Sequence, residues 1–285
     1  MDIIYDPVFL EHDTGTHPEG AGRLGMLLGF LGSEGIKLLK PPNGEEFLKL
    51  AHTQEYIELV KGLCKGAGSG WAYLDGDTPL SAQSYDAACY AVGGAVKASE
   101  VGGFALVRPP GHHAFASRGS GFCIFNNMAI AALKAAGEGK RVFILDIDIH
   151  HGNGTQSLVQ GREGVKFLSI HQNPLYPGSG LRSEENCVNI PLPPGTGDEE
   201  YIKVLDSQVK KELEGFGPDL IGVSVGFDAF GKDVGWVAGN DFRLTAKTYK
   251  HLRDMLEPYD WFATLEGGYN PESILEGTRA LLRMG

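Results

Sequence analysis

The chain has 285 residues, of which 42% are apolar and 21% charged, an ordinary globular composition that excludes a disordered or fibrous protein. Lys and Arg total 25 against 36 Asp and Glu, a formal charge of −11. That balance argues against direct nucleic-acid binding, which needs basic patches, and fits either a cationic substrate or a simply soluble surface.

In chain order, the hydrophobic pattern predicts a strand at Ile3–Tyr5, helices at Gln54–Cys64 and Ala82–Ala98, and a strand at Phe104–Val107. A helix at Asn127–Ala136 follows, then strands at Val142–Asp148 and Val165–His171. Next come a helix at Glu199–Glu214, a strand at Leu220–Phe227, a helix at Ala246–Leu256 and a strand at Trp261–Leu265. Several strands are almost continuously apolar, as parallel strands covered on both faces are. The expected fold is α/β: a single open, mostly parallel β-sheet flanked by helices on both faces, forming one domain over residues 1–285. Cys64, Cys89, Cys123 and Cys187 form no C-x-x-C pair, and no apolar run reaches membrane-spanning length. A cytoplasmic protein with no membrane contact is expected, and the pattern leaves the oligomeric state open.

Polar residues gather where strands give way to loops. Arg108-Pro109-Pro110-Gly111-His112-His113 follows one strand, Asp148-Ile149-His150 a second, Gly226-Phe227-Asp228 a third and Glu266-Gly267-Gly268-Tyr269 the last. Ligands bind at that carboxyl edge in open α/β sheets. Side chains two apart on an extended segment share a side, so Asp148 and His150 can approach one ion, although an Asp-x-His pair also occurs as a loop or cap feature. Asp228 ends an apolar strand, where a carboxylate is costly unless it is paired, capping or metal-bound. Three protein ligands with an open fourth position describe a catalytic zinc, and the oxygen-rich set also suits Fe2+ or Co2+. His112 and His113 can supply the base and acid that hydrolysis needs, and Tyr269 on its glycine turn a donor for an oxyanion.

Six stretches together resemble the family of histone deacetylases, acetoin-utilisation proteins and acetylpolyamine amidohydrolases, within the arginase–deacetylase superfamily. They are RPPGHHA at 108–114, GFCIFNN at 121–127, DIDIHHGNGTQ at 146–156, SIHQNPLYPGSG at 169–180, VGFDA at 225–229 and LEGGYN at 265–270, in the family's order. The resemblance implies the arginase–deacetylase fold and a zinc-dependent hydrolase acting on an acetylated amine or acetyl-lysine. It casts Asp148, His150 and Asp228 as zinc ligands, His113 as general base and acid, His112 as its electrostatic neighbour, Asp146 as the carboxylate orienting His112, and Tyr269 as the phenol on the substrate carbonyl. Gly121, Phe122, Tyr176 and Gly267 would line the acyl-lysine tunnel, and Asp77 would be the rim carboxylate. A structural potassium ion would sit against Asp146, Ser169 and the carbonyls of Asp148 and His150. Asn153 stands where some members carry an aspartate, a pattern similar to the class II branch, and Tyr176 where phenylalanine is common.

Within that resemblance, a two-manganese ureohydrolase is disfavoured because Ala229-Phe230, not another carboxylate, follows Asp228. A non-catalytic acyl-ligand module is disfavoured by the intact His112, His113 and Tyr269. Acyl-lysine or a small acylated amine is expected over a dedicated acetylpolyamine, because the segment after Asp228, read as rim, places Lys232 beside Asp233.

Overall fold

The computed structural model describes residues 1–284. Its strands are β1 (Ile3–Ile4), β2 (Leu38–Leu39), β3 (Ala72–Tyr73), β4 (Pro79–Leu80) and β5 (Phe104–Ala105), followed by β6 (Val142–Asp146), β7 (Val165–Gln172), β8 (Cys187–Leu192), β9 (Leu220–Val225) and β10 (Trp261–Leu265). Eight of them form one sheet in the order β2-β1-β5-β10-β9-β6-β7-β8, every pair parallel, while β3 and β4 make a separate antiparallel pair.

The helices are α1 (Gly25–Ser33), α2 (Gln54–Ala67), α3 (Ser84–Val101), α4 (Asn127–Gly137) and α5 (Asn153–Val159), then α6 (Asp198–Val204), α7 (Lys210–Phe216), α8 (Ala246–Leu256) and α9 (Pro271–Leu282). A π turn at Leu205–Val209 joins α6 to α7. Two cores result, one per face of the sheet. Val142 and Ile144 of β6 pack with α2, α3 and α4, whereas Phe143 and Leu145 pack with α1, α6, α7, α8 and α9. Period-two alternation within one strand thus serves two layers of helix, which is why the strand reads as continuously apolar.

The expected parallel sheet is present, with shorter strands at the functional edge. β6 stops at Asp146 and β9 at Val225, two residues earlier in each case than the apolar pattern suggests. Side-chain carboxylates take over as backbone acceptors there. Asp146 Oδ1 accepts from the N–H of Asp148, Asp148 Oδ1 from that of His150, and Asp228 Oδ1 from that of Ile149. The two local bonds, with the long-range one from Asp228, end the ladder. Asp148 and His150 therefore converge through a bend and not through the alternation of an extended strand.

β2, β8, α1, α5 and α9 have no counterpart in the expected elements. β8 carries Asn189 and Pro191, and α1 carries Gly25, Gly29 and Gly32, so neither shows a clean period. α9 did carry a signal: Asn270 caps Glu272 N at 2.9 Å and Pro271 occupies the first turn, the usual marks of a helix start.

Candidate active site

The loops after β5, β6, β9 and β10 meet at one edge of the sheet. Asp148, His150 and Asp228 offer ligand atoms that all lie within 4.8 Å of one another, in a buried position. His150 Nδ1 faces Asp148 Oδ1 at 3.0 Å and Asp228 Oδ2 at 3.2 Å. Asp228 Oδ2 is buried without a hydrogen bond, and such an atom calls for a partner. Burial, then the charge of Asp148, pushes the Asp228 carboxyl above its ordinary pKa. Two fully buried carboxylates and an imidazole, with one oxygen left over, fit a divalent cation.

Three glycines bring bare backbone against these acids. A Cβ at Gly152 would stand 2.1 Å from Asp146 Oδ2, one at Gly226 2.3 Å from Asp148 Oδ2, and one at Gly267 2.1 Å from Asp228 Oδ2. Gly267 also donates its N–H to Asp148 Oδ2 at 2.8 Å.

The adjacent imidazoles differ in environment. His112 Nδ1 contacts Asp146 Oδ2 at 3.1 Å. Burial opposes its charge, but Asp148 and Asp146 together raise its pKa to about 10. His113 Nδ1 lies 2.8 Å from Asn153 Oδ1, an oxygen that also accepts from Gly154 N. Nδ1 therefore carries the proton and leaves the Nε2 lone pair free. Burial, followed by the charges of His112 and His150, holds His113 well below its ordinary pKa. The surrounding carboxylates thus favour the charged form of His112, while burial favours the neutral form of His113.

Both face a narrow cavity of about 230 Å³, lined also by Asp75, Asp77, Gly121, Phe122, His150, Tyr176, Val237, Gly267 and Tyr269. Phe122 and Tyr176 form walls; the Phe122 ring meets Tyr269 edge-on at 5.8 Å and the Tyr176 ring meets His113 at 5.1 Å. Gly121 has φ of 54°, and a Cβ there would fall 2.6 Å from His113 and 3.0 Å from the Tyr176 hydroxyl. Only glycine fits that turn. Asp77 stands exposed at the mouth, 3.2 Å from His17 Nε2. Asp146 and Ser169 are register partners on β6 and β7, and Ser169 Oγ lies 3.0 Å from His171 Nδ1.

Other residues support the site without having stood out in the sequence. Asp75 accepts from Gly121 N at 3.3 Å and adds a second acid to the mouth. Glu266 is buried, its pKa raised by burial to about 7, and accepts from Gly111 N at 2.7 Å and His112 N at 3.1 Å. His112, Cys123 and Glu266 also cluster, but those backbone donors occupy Oε2 and the Ser224 and Thr264 hydroxyls occupy Oε1, so the group reads as a hydrogen-bonded support for the histidine loop. Arg108 and Glu266 both fall inside the motifs quoted above, which was the available signal. Asp233 corrects an expectation. It is fully buried, while Lys232 pairs with Glu272 and Glu276, so the two do not offset each other at the rim. Among the described residues no helix is long and apolar enough to cross a membrane.

Comparison with known proteins bears on the same edge of the sheet. Residues 17–284 match the model of the histone deacetylase domain. A probable deacetylase of Archaeoglobus fulgidus is 37% identical, covering 97% of this chain and 83% of its own length. Among solved structures, the HDA15 HD domain superposes with a TM-score of 0.88 at 31% identity, over 99% of this chain and 90% of that one. An acetylpolyamine aminohydrolase from Burkholderia pseudomallei gives 0.87 at 25% identity, over 100% and 98%. With its parallel eight-stranded sheet and its motifs in order along that match, the chain belongs to the histone deacetylase family of amide-hydrolysing enzymes.

Proposed function

We propose that the protein is a metal-dependent deacetylase that hydrolyses the acyl amide of an acyl-lysine or a small acylated amine. The observation that carries this reading is the convergence of His113, Tyr269 and His150 on one slot. Asp148, His150 and Asp228 would hold the ion, with Zn2+ the first choice and Fe2+ or Co2+ the alternatives. Such an ion supplies Lewis-acid polarisation of the acyl carbonyl and a water that ionises near neutrality. His113 Nε2 takes the proton from the attacking water, and Asn153 keeps that ring in the required tautomer. The Tyr269 phenol donates a hydrogen bond to the acyl oxygen as negative charge develops on it. His113 then returns the proton to the departing amine, and His112 and Asp146 supply the charged background. Asp146 and Ser169 would hold a structural potassium ion.

Phe122 and Tyr176 suit a neutral aliphatic stem. The acids Asp75 and Asp77 at the mouth favour a second reading, an acetylated polyamine whose distal ammonium meets them. Purified protein is assayed on an acetyl-lysine peptide, acetylspermidine and acetylputrescine, before chelation, after it, and after Zn2+ is restored. Activity that disappears and returns with the ion is expected; undiminished activity in the chelated protein, or none on any acyl amine, would sink the proposal. A preference of 100-fold for the polyamines, about 2.7 kcal/mol in the transition state, would select the second reading.

A further inference from the structure

Tyr269 follows two glycines, and Gly268 has φ of 113°. A glycine pair leaves the backbone free to rotate, so the turn does not by itself aim the phenol. On the near side, Gly267 is fixed by Asp148. On the far side the anchor is Asp233, which closes a short 3-10 turn (Gly231–Asp233) five residues past Asp228. Its Oδ1 accepts from Tyr269 N at 3.0 Å, and its Oδ2 accepts from Tyr269 N at 3.2 Å and Asn270 N at 3.0 Å. Asn270 returns the link by donating Nδ2 to Lys232 O at 2.8 Å.

Burying this carboxylate is costly. Lys232 turns to Glu272 and Glu276, so no cation among the described residues pairs with the carboxylate that the Tyr269 and Asn270 N–H groups hold, and burial, then the charge of Asp228, raises the Asp233 pKa to about 6. Asp233 also accepts through its carbonyl from Trp236 N at 3.0 Å, next to Val237 on the slot wall. One residue therefore ties the phenol's backbone, through its carboxylate, to the loop that walls the slot, through its carbonyl.

We propose that Asp233 is a positioning residue that fixes the Tyr269 phenol over the slot. This rests on the deacetylase reading only for its kinetic test. Asp233→Asn keeps one acceptor oxygen and is expected to lower kcat about 10-fold; Asp233→Ala keeps none and should lower it about 10²-fold, with KM within about threefold and metal content unchanged. In a Tyr269→Phe background Asp233→Asn should change kcat by less than about twofold, because the group it aims is gone. Equal losses in both backgrounds, or no loss in either, would overturn the proposal. An activity-free readout separates it from the function itself: amide exchange across 265–270 should quicken at least about 10-fold in Asp233→Asn while β9 stays protected. Unaltered exchange there overturns the positioning role, whereas an inactive wild type overturns the deacetylase reading and leaves the exchange result to decide Asp233.

Discussion

Two buried clusters of charge lie close together and are built on opposite principles. Around Glu19 the surplus is positive, two guanidiniums on one carboxylate. Arg108 donates Nε and Nη2 to the Glu19 carboxylate at 2.7 and 2.8 Å, and Arg23 adds Nη1 at 3.0 Å. Burial works to raise the Glu19 pKa, yet the two guanidiniums bring it down to about 2. At the slot floor the surplus is negative. Asp146, Asp148, Asp228 and Glu266 are all fully buried, and His112 and His150 supply the nearby positive charge. Asp228 and Glu266 are pushed up instead of down. In the first cluster backbone carbonyls of Phe9, His12, Glu19 and Glu266 take up further guanidinium donors, and the second has a negative surplus that a cation would complete.

The sharpest way to break this contrast is to remove a ligand. Asp148→Ala and Asp228→Ala are each expected to lose the bound ion and to lower kcat on the order of 10³-fold or more. Elemental analysis of purified variants checks the first part, and full occupancy in both would end the metal assignment. Glu19→Gln should do the reverse, leaving metal content intact while costing about 3–5 kcal/mol of stability, because two buried guanidiniums lose their shared partner. Denaturant unfolding measures it; a loss of metal without a loss of stability would merge the two clusters into one. Tyr269→Phe should keep the fold and the ion and lose about 10²–10³-fold in kcat, the usual cost of one oxyanion donor. An unchanged kcat removes the phenol from the chemistry.

The smallest effect concerns His52, an uncharged part of the scaffold. Its Nδ1 donates to Phe115 O at 3.0 Å and its Nε2 accepts from Asn126 N at 2.9 Å, and burial lowers its pKa from 6.5 to about 4. Between those values the unfolded chain takes up a proton that the folded one refuses. Its contribution is thus complete above pH 6.5 and falls away as the pH drops toward 4, by about 3 kcal/mol. The stability advantage of the wild type over His52→Gln should shrink by that amount between pH 7.5 and 4. A constant difference would mean that the ring is not held neutral.

Much of the sheet was legible because fully covered parallel strands write themselves as apolar runs; β10 and α8 fall on their expected limits. The strand ends were not, since the carboxylates that stop β6 act on backbone that otherwise reads as strand. The proposed reacting groups, His113 and Tyr269, stood out in sequence through their place in motifs. Their supports were harder to see. Glu266 and Arg108 act on residues far away in the chain, and Asp233 looked like a surface acid beside a lysine because sequence cannot show which of two neighbours turns inward.

The slot floor draws on loops around residues 112, 148, 228 and 267, which only the assembled order of strands brings together. Contacts of such long sequence separation form late, after most chain entropy has been lost. No single segment of this chain therefore carries the full set of candidate ligands. An ion held there would not serve as a seed for folding; it would act as a latch, leaving the speed of refolding nearly untouched and lengthening the lifetime of the finished protein.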